Sequence, residues 1–343
     1  MGTWTFSDEE MTATTQIRLQ KRRNAIDTPL PITKMLLENM EEEEGGERVL
    51  VPWNYQRHSN TTRITNGFDL VDMTARPTLT HAYDDWCYVV SPNLWSKFDE
   101  KINRGKSKVL DKIAARADDT DKRMHRELEL QFLRANQTPW SDLNTGNGFD
   151  SSVGFLESAA VGSQTNTVMG LSKGTYSTLA GFQNKRADIG GSFSTVGLQR
   201  LRDAGMDVKF LNQDEQTKPY CFVSLEAAKN YGRAIQTQDL YGKDFRDGVI
   251  LEVAINGMKY ALCDNLPNSG ATTGVGNDEW SFLCIDAAAI RLIGQKGTVF
   301  NVEPWRELGG QQMLVKASLE EFMGQVVVDF FGSSSVVFGG DTW

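Results

Sequence analysis

The segment that decides the fold has the sequence SPNLWSKFDEKINRGKSKVLDKIAARADDTDKRMHRELELQFLRAN and runs from Ser91 to Asn136. Ser91 and Pro92 form a helix-start signal, because a serine hydroxyl can cap free amides and proline has no N–H to lose at the first helical position. The pattern predicts a long helix, with a break at Asn103–Gly105, that lays one narrow face on the rest of the protein. The residues predicted to be on the buried face are Leu94, Phe98, Ile102, Val109, Ile113, Ala117, Thr120, Met124 and Leu128. The residues predicted to be on the solvent-exposed face are Asp111, Asp118, Lys122, Arg126 and Glu129.

The bulk composition excludes several classes of protein. The 343 residues are enough for one large or two ordinary domains, and no apolar run approaches the roughly 18–20 residues that span a bilayer, so we expect no membrane association. A net charge of −9 argues against a protein whose whole surface grips nucleic acid. The tight basic cluster in the chain contains Arg18, Lys21, Arg22 and Arg23.

The first ninety residues predict an arm followed by a hairpin. We expect Met1 to Met40 to be an extended arm, with a short helix at Ile32–Met40, and the acidic run Glu41–Gly46 to be a flexible joint. Arg48–Trp53 and Trp86–Val90 are typical of strands, and the polar stretch between them has too few apolar residues for a core of its own. A two-stranded excursion is marginal alone, which predicts that it lies on something else, such as a neighbouring subunit.

Aromatic and arginine side chains near this excursion are typical of buried protein–protein contacts. Ordinary local packing is the alternative for each of them. The candidates for intersubunit contact are Trp53, Arg57, Arg63, Phe68, Arg76 and Trp95.

The rest of the chain predicts a mixture of helices and strands. The clearest signal is Asn256–Gly257, a type I′ turn dipeptide that predicts a hairpin between Val249–Ile255 and Met258–Leu262. We also expect helices at Thr195–Ala204 and after the capping residue Ser224. Further strands are predicted at Val208–Leu211, Tyr220–Val223, Phe282–Asp286, Val299–Val302, Gln312–Ala317 and Gln325–Phe331. This order predicts an α+β fold with antiparallel sheets.

No motif has the spacing of an active site. Gly105–Ser107 lacks the first glycine of a phosphate-binding loop, and Gly270–Gly276 leads into a strand without the dinucleotide fingerprint. Acidic pairs such as Asp84–Asp85 fit a charged loop better than acid–base chemistry. The histidines, which have no metal-ligand spacing, are His58, His81 and His125. We therefore expect no catalytic residue, no metal, no cofactor and no enzymatic activity.

The cysteines favour buried free thiols over disulfides, because they are far apart and none has C-x-x-C spacing. They are Cys87, Cys221, Cys263 and Cys284.

The order of these segments resembles that of the major capsid proteins of tailed double-stranded DNA bacteriophages, which have the Hong Kong 97 fold. The likeness extends from about Gly45 to Phe338, and the order and spacing of several loose motifs carry it. These are Gly45–Gly46 leading into Val49–Tyr55, then Ser91–Leu94, Ile102–Lys106, Asn256–Gly257, Cys263–Pro267 and Phe282–Asp286.

The resemblance implies a division of the chain into the parts of a capsid subunit. They are an N-arm at residues 1–46, an extended loop with flanking strands at 47–90, a peripheral domain with the spine helix at 91–150, an axial domain at 151–295 and return strands of the peripheral domain at 296–343.

The implied function is that of a structural subunit of the virion. Such a subunit self-assembles in the host cytoplasm into hexamers and pentamers of an icosahedral head that encloses double-stranded DNA, and it works with a portal protein. Only about forty-five residues precede the loop, which suggests a separate scaffolding protein. The acidic balance suits weak, non-specific contact with the packaged DNA. Binding of a decoration protein is left open.

Two alternatives and one departure follow. The alternatives are an encapsulin-like compartment shell of the same fold and, from another class, a soluble α+β ligand-binding domain or enzyme that uses the glycine-rich middle.

The departure from the family concerns the isopeptide bond that some relatives form from a lysine in the extended loop. No lysine lies between Lys34 and Lys97, so we expect no crosslink of that type.

Overall fold

The structure is a computed structural model that describes most of the chain. The described residues are 30–54, 63–65, 74, 78–96, 112–133, 156, 162–165, 167–175, 182–190, 192–211, 218–237, 258–263, 265–266, 280–304, 306–307, 315–329 and 331–339.

The described residues form helices and strands of an α+β protein. The helices are α1 (Pro31–Glu38), α2 (Lys112–Leu133), α3 (Phe193–Leu211) and α4 (Leu225–Thr237). The strands are β1 (Met40–Glu43), β2 (Arg48–Asn54), β3 (Leu79–Asp85), β4 (Cys87–Ser96), β5 (Thr167–Val168), β6 (Leu171–Ser172), β7 (Lys185–Asp188), β8 (Pro219–Val223), β9 (Lys259–Leu262), β10 (Trp280–Asp286), β11 (Ile290–Gln295), β12 (Asn301–Val302), β13 (Arg306–Glu307), β14 (Val315–Val328) and β15 (Ser334–Phe338).

A six-stranded sheet is built around the long strand β14. Along one edge β14 pairs antiparallel with β4, from Val315 opposite Ser96 to Gly324 opposite Cys87. Along the other edge it pairs antiparallel with β11, β12 and β13 in turn. The acidic strand β1 adds to β11 in parallel. The sheet therefore joins segments from both ends of the described chain.

A five-stranded sheet forms the second layer, in the order β7-β15-β10-β8-β9. The outer pairs β7–β15 and β8–β9 are parallel, and the inner pairs are antiparallel. Helices α3 and α4 close one apolar cluster with this sheet, through residues such as Leu201 and Ala227. A larger cluster combines α1 and α2 with the six-stranded sheet.

Several predicted elements are confirmed. Helix α1 covers most of the predicted helix Ile32–Met40, beginning one residue earlier at Pro31 and ending at Glu38, and β8 and β10 contain the predicted strands at Tyr220–Val223 and Phe282–Asp286. The Ser224 hydroxyl accepts a hydrogen bond from the Ala227 amide at 3.3 Å and caps α4 as expected. All four cysteines are free and buried.

The predicted start of the long helix is wrong. Residues Ser91 to Ser96 belong to β4, and helix α2 is described from Lys112, with 97–111 outside the described residues. Pro92 fits a strand here because, in the described part of the chain, β4 pairs only with β14, and an edge strand tolerates a missing N–H. Met124 and Leu128 are buried as predicted. Glu129, which was predicted to be on the solvent-exposed face, is fully buried.

Four further corrections concern segment type. Glu41–Glu43, predicted to be part of a joint, belong to strand β1 because the edge of β11 supplies its hydrogen-bond partners. Val208–Leu211, predicted to be a strand, is the last turn of α3, whose Val208 packs in the core. Residues 315–317 and 325–328 of the two predicted strands Gln312–Ala317 and Gln325–Phe331 belong to the single strand β14, which also includes the residues between them. Phe331 begins a 3-10 turn, and residues 312–314 and 330 lie outside the described residues. The second strand of the hairpin is β3, Leu79–Asp85, which comes before the predicted second strand Trp86–Val90.

Two outcomes concern the strands of the chain's second half. Strands β11 and β15 were not anticipated from the sequence. The first strand of the predicted Asn256–Gly257 hairpin lies outside the described residues, and β9 pairs in parallel with β8.

Candidate intersubunit surface

The hairpin of β2 and β3 packs on the body of its own chain with one face. Val49, Trp53 and Ala82 alternate onto this side and are buried. The Trp53 ring meets Phe182 edge-on, with 5.1 Å between ring centroids. The Tyr83 amide donates a hydrogen bond to the Met169 carbonyl at 3.0 Å, which fixes β3 to the β5–β6 turn. The hairpin thus has a fixed base within its own subunit.

The opposite face of the hairpin is apolar but exposed. Leu50 and Tyr83 are directly opposite each other in the strand register and are 63% and 45% exposed, and Leu79 is 56% exposed. At the base, Arg48 and Asp85 form an ion pair of 2.8 Å, and the Arg48 guanidinium lies 5.2 Å from the centre of the Tyr83 ring. We call Arg48, Leu50, Pro52, Leu79, His81, Tyr83 and Asp85 the hairpin outer face.

A second apolar surface lies on the six-stranded sheet. Alternate residues of β4 turn away from helix α2, and among them Tyr88 and Leu94 are 53% and 51% exposed. Their register partners on β14 are the half-buried Met323 and Ala317. The Tyr88 hydroxyl donates to the Glu321 carboxylate at 2.5 Å, and this hydrogen bond raises the pKa of Tyr88. We call Tyr88, Val90, Pro92, Leu94, Ala317, Leu319 and Met323 the sheet outer face.

The structure describes three of the six predicted contact residues, Trp53, Arg63 and Trp95, and places them in separate segments of the chain. Trp53 packs inside its own subunit, so local packing accounts for it. Arg63 is exposed beside Ile64, which is 60% exposed. Trp95 lies in β4 opposite Lys316. Arg57, Phe68 and Arg76 lie outside the described residues.

The sequence reasoning missed the residues that form the two outer faces. A signal for the hairpin was present: Val49 to Trp53 is apolar at consecutive positions, and a two-stranded hairpin can bury only one face on its own subunit. An apolar residue such as Leu50 on the other face is then left exposed.

Helix α2 is held to α1 by a buried carboxylate. Glu129 Oε2 accepts the amides of Ile32 and Thr33 at 3.1 and 3.3 Å, and Oε1 accepts Asn265 Nδ2 at 2.8 Å and Cys263 Sγ at 3.5 Å. Leu30 at the N-cap position supplies no side-chain cap, so Glu129 serves the first turn of α1 in its place. Burial raises the pKa of the Glu129 carboxyl, and the four hydrogen bonds oppose the shift.

The remaining candidates for chemistry are dispersed. His125 stacks on Phe300 with 4.5 Å between ring centroids, and His81 is exposed on the hairpin outer face. His58, Gly105–Ser107 and Gly270–Gly276 lie outside the described residues. Within the described ranges, no three His, Cys, Asp or Glu side chains form a group that could hold a metal ion. No helix in the same ranges is long and apolar enough to cross a membrane.

Comparison with solved structures identifies the fold. The capsid asymmetric unit of cyanophage A-1(L) is 12% identical, with a TM-score of 0.61 over 96% of this chain and 97% of that chain. A structure from Mycobacterium phage Ogopogo is 12% identical, with a TM-score of 0.58 over 98% and 99%. An encapsulin complex from Synechococcus elongatus is 12% identical, with a TM-score of 0.54 over 98% and 96%. No protein-family model and no curated protein sequence matches the chain.

These structural similarities define the fold class of the chain. The chain has the fold shared by phage capsid and encapsulin shell subunits, and the matches cover 96–98% of its length. In particular it has the α+β, Hong Kong 97-like capsid fold that the sequence resemblance predicted.

Proposed function

We propose that this protein is a structural major capsid protein that self-assembles into the hexamers and pentamers of an icosahedral phage head. The observation that carries the proposal is the match to a phage capsid subunit over 96% of this chain and 97% of that chain, with no large part of either left over. The protein acts by binding copies of itself, and we propose no catalytic step.

The two outer faces support self-association. A soluble protein rarely leaves several large apolar side chains exposed together on regular strands unless a partner covers them. Here Leu50, Leu79 and Tyr83 are exposed on the hairpin, and Tyr88 and Leu94 on the sheet. We propose that the hairpin outer face of one subunit lies on the sheet outer face of the next. Each contact is modest, but symmetry repeats it around the shell and raises the effective concentration of every further contact.

The domain assignments made from the sequence belong to this proposal. Residues 1–46 are the N-arm, 47–90 the extended loop, 91–150 the peripheral domain, 151–295 the axial domain and 296–343 the return strands. Within the first of these, α1 is a buried part of its own subunit, so the arm proper is the segment before it. The proposed partners are a scaffolding protein, a portal protein and weakly bound DNA, in a shell assembled in the host cytoplasm.

Electron microscopy with size-exclusion chromatography of the overexpressed protein, alone and with a candidate scaffolding protein, tests the proposal. Closed shells, tubes or capsomer-sized oligomers are the expected result. A monodisperse monomer under both conditions would contradict self-assembly and favour the soluble ligand-binding alternative.

A matched pair of variants tests the hairpin contact itself. Leu50→Asp places a charge on the hairpin outer face and is expected to abolish assembly while the subunit stays folded, because Leu50 is 63% exposed. Leu50→Met keeps the surface apolar and is expected to assemble normally. Equal assembly of both variants would show that this face is not an interface.

A compartment shell is the second candidate, favoured by the match to the Synechococcus elongatus encapsulin complex. The contents of purified particles distinguish the two. Packaged DNA together with a portal protein supports the phage head, and a copurifying cargo protein without DNA supports the compartment.

A further inference from the structure

Two of the buried cysteines lie directly opposite each other on adjacent strands of the five-stranded sheet. Cys221 on β8 and Cys284 on β10 are partners in the strand register, and their sulfur atoms are 3.8 Å apart. Register partners on neighbouring strands share a face of the sheet, so the two thiols lie on the same side. Both are fully buried in the apolar cluster that helices α3 and α4 close.

The hydrogen bonds at the two ends of this strand pair define the geometry at the cysteines. At one end the Ser224 amide donates to the Ser281 carbonyl at 3.0 Å, and at the other the Ala287 amide donates to the Lys218 carbonyl at 2.9 Å. Hydrogen-bonded and non-hydrogen-bonded residue pairs alternate along an antiparallel ladder. The cysteine pair lies three positions from each end. It is therefore a non-hydrogen-bonded pair, the kind in which the side chains are closer together.

A disulfide fits this position with little movement of the backbone. The α-carbons of a non-hydrogen-bonded pair are about 4.5 Å apart, and disulfides join α-carbons that are about 4.4–6.8 Å apart. The two sulfur atoms need to approach each other by about 2 Å, which small rotations of the two side chains supply.

The pair is reduced in this structure, and its surroundings protect it. The Cys284 thiol donates a hydrogen bond to the Cys221 sulfur. This hydrogen bond and burial raise the pKa of the Cys221 thiol well above its ordinary value. Because the thiolate is the reactive form, the pair resists oxidation until local opening of the sheet and its helices admits an oxidant.

We propose that Cys221 and Cys284 are a dithiol that an oxidant of the peroxide class closes to a disulfide between β8 and β10. With hydrogen peroxide, one sulfur attacks a peroxide oxygen and the O–O bond breaks, which gives a sulfenic acid and one water. The second sulfur attacks the sulfenic sulfur and the S–O bond breaks, and the hydroxyl group leaves as water with the proton of the second thiol. The two sulfurs together lose two electrons, and the peroxide gains them.

The bond ties the middle strand of the five-stranded sheet to its neighbour. It joins residues that are 63 positions apart in the chain, and a covalent loop of this length restricts the unfolded state. Thiols stay reduced in the cytosol and oxidise outside it. A shell subunit therefore gains the bond after it leaves the host, and this consequence, unlike the bond itself, rests on the proposed function.

Peptide mapping of unassembled subunits tests the proposal without depending on shell formation. The folded protein is treated with excess hydrogen peroxide in urea well below the unfolding midpoint, so that local opening admits the reagent. It is then quenched in acid and alkylated in denaturant. The product is expected to be lighter by two hydrogen atoms before alkylation, to keep two of its four thiols and to yield one crosslinked peptide pair containing Cys221 and Cys284. Its urea midpoint should rise by about 1 M and return on reduction.

Three variants separate this pair from the other thiols. Cys284→Ala and Cys221→Ala are each expected to give no crosslink and no rise in the urea midpoint. Cys87→Ala, at a buried cysteine of the six-stranded sheet, is expected to keep both.

The unchanged protein decides the question where a variant does not fold. Four free thiols after prolonged treatment would overturn the proposal. So would a crosslink to a different cysteine, or sulfinic or sulfonic acid at these two positions in place of the crosslinked peptide.

Discussion

Glu129 offers the sharpest test of how the helices are held together. Its carboxylate accepts four hydrogen bonds, from the amides of Ile32 and Thr33 and from the side chains of Asn265 and Cys263. Glu129→Ala leaves these donors without an acceptor. Each buried donor that loses its partner costs about 1–3 kcal/mol, although water entering the vacated space offsets part of the total. We expect the free energy of unfolding to fall by about 3–5 kcal/mol.

The Gln variant refines this prediction. Glu129→Gln keeps one carbonyl oxygen but turns an amino group toward two donors, so we expect a loss of about 1–3 kcal/mol, smaller than that for Ala. The assay is urea unfolding of unassembled subunits, followed by tryptophan fluorescence. Arg126→Ala is the control, because this exposed residue on the same helix should change stability by less than about 0.5 kcal/mol.

Hydrogen exchange at the Ile32 and Thr33 amides adds a local readout. Both amides should exchange faster in Glu129→Ala, because their acceptor is gone. A loss below 1 kcal/mol with unchanged exchange at these two amides would refute the role assigned to Glu129. A gain in stability in Glu129→Leu would show that the buried carboxylate costs more than its hydrogen bonds return.

Three further outcomes are expected. In urea unfolding, Gly324→Ala should destabilise the subunit by about 1–3 kcal/mol, because the added Cβ would lie 2.9 Å from the Ile293 carbonyl oxygen. Gly232→Ala is the control and should be neutral or slightly stabilising, because a Cβ there meets nothing within 4 Å. Trp53→Ala should cost about 3–5 kcal/mol and speed proteolysis of the hairpin, and Leu50→Ala on the same strand should do neither in unassembled subunits. Assembled particles should run as single subunits on a denaturing gel, because the extended-loop segment has no lysine, and covalent ladders would contradict this.

Local signals in the sequence predicted much of the fold. The Ser224 cap, the apolar strand at Phe282–Asp286 and the apolar positions Met124 and Leu128 of α2 each depend on near neighbours, and each is found in the structure. The general α+β architecture followed from their order.

Features that depend on distant partners were not predicted. Ser91–Pro92 has the residues of a helix start, but the edge of β14 pairs with it as a strand. Glu129 was assigned to solvent because its charge suits water, and its true partners lie 97 and 136 residues away. The candidate contact residues were chosen by residue type, whereas exposure of Leu50 and Tyr83 depends on which face of the hairpin its own subunit covers.

The pairing of early and late segments in the six-stranded sheet has a consequence for synthesis on the ribosome. The Gln325 side chain donates to the Asp85 carbonyl across 240 residues, and Asn39 donates to the Ala287 carbonyl across 248. At about 5–20 residues per second, β4 waits roughly 10–50 s for β14 to emerge. Until then the nascent chain exposes the unpaired apolar strand β4 to solvent. The six-stranded sheet, and with it any competence to join a neighbour, is therefore available only after β14 has been synthesised.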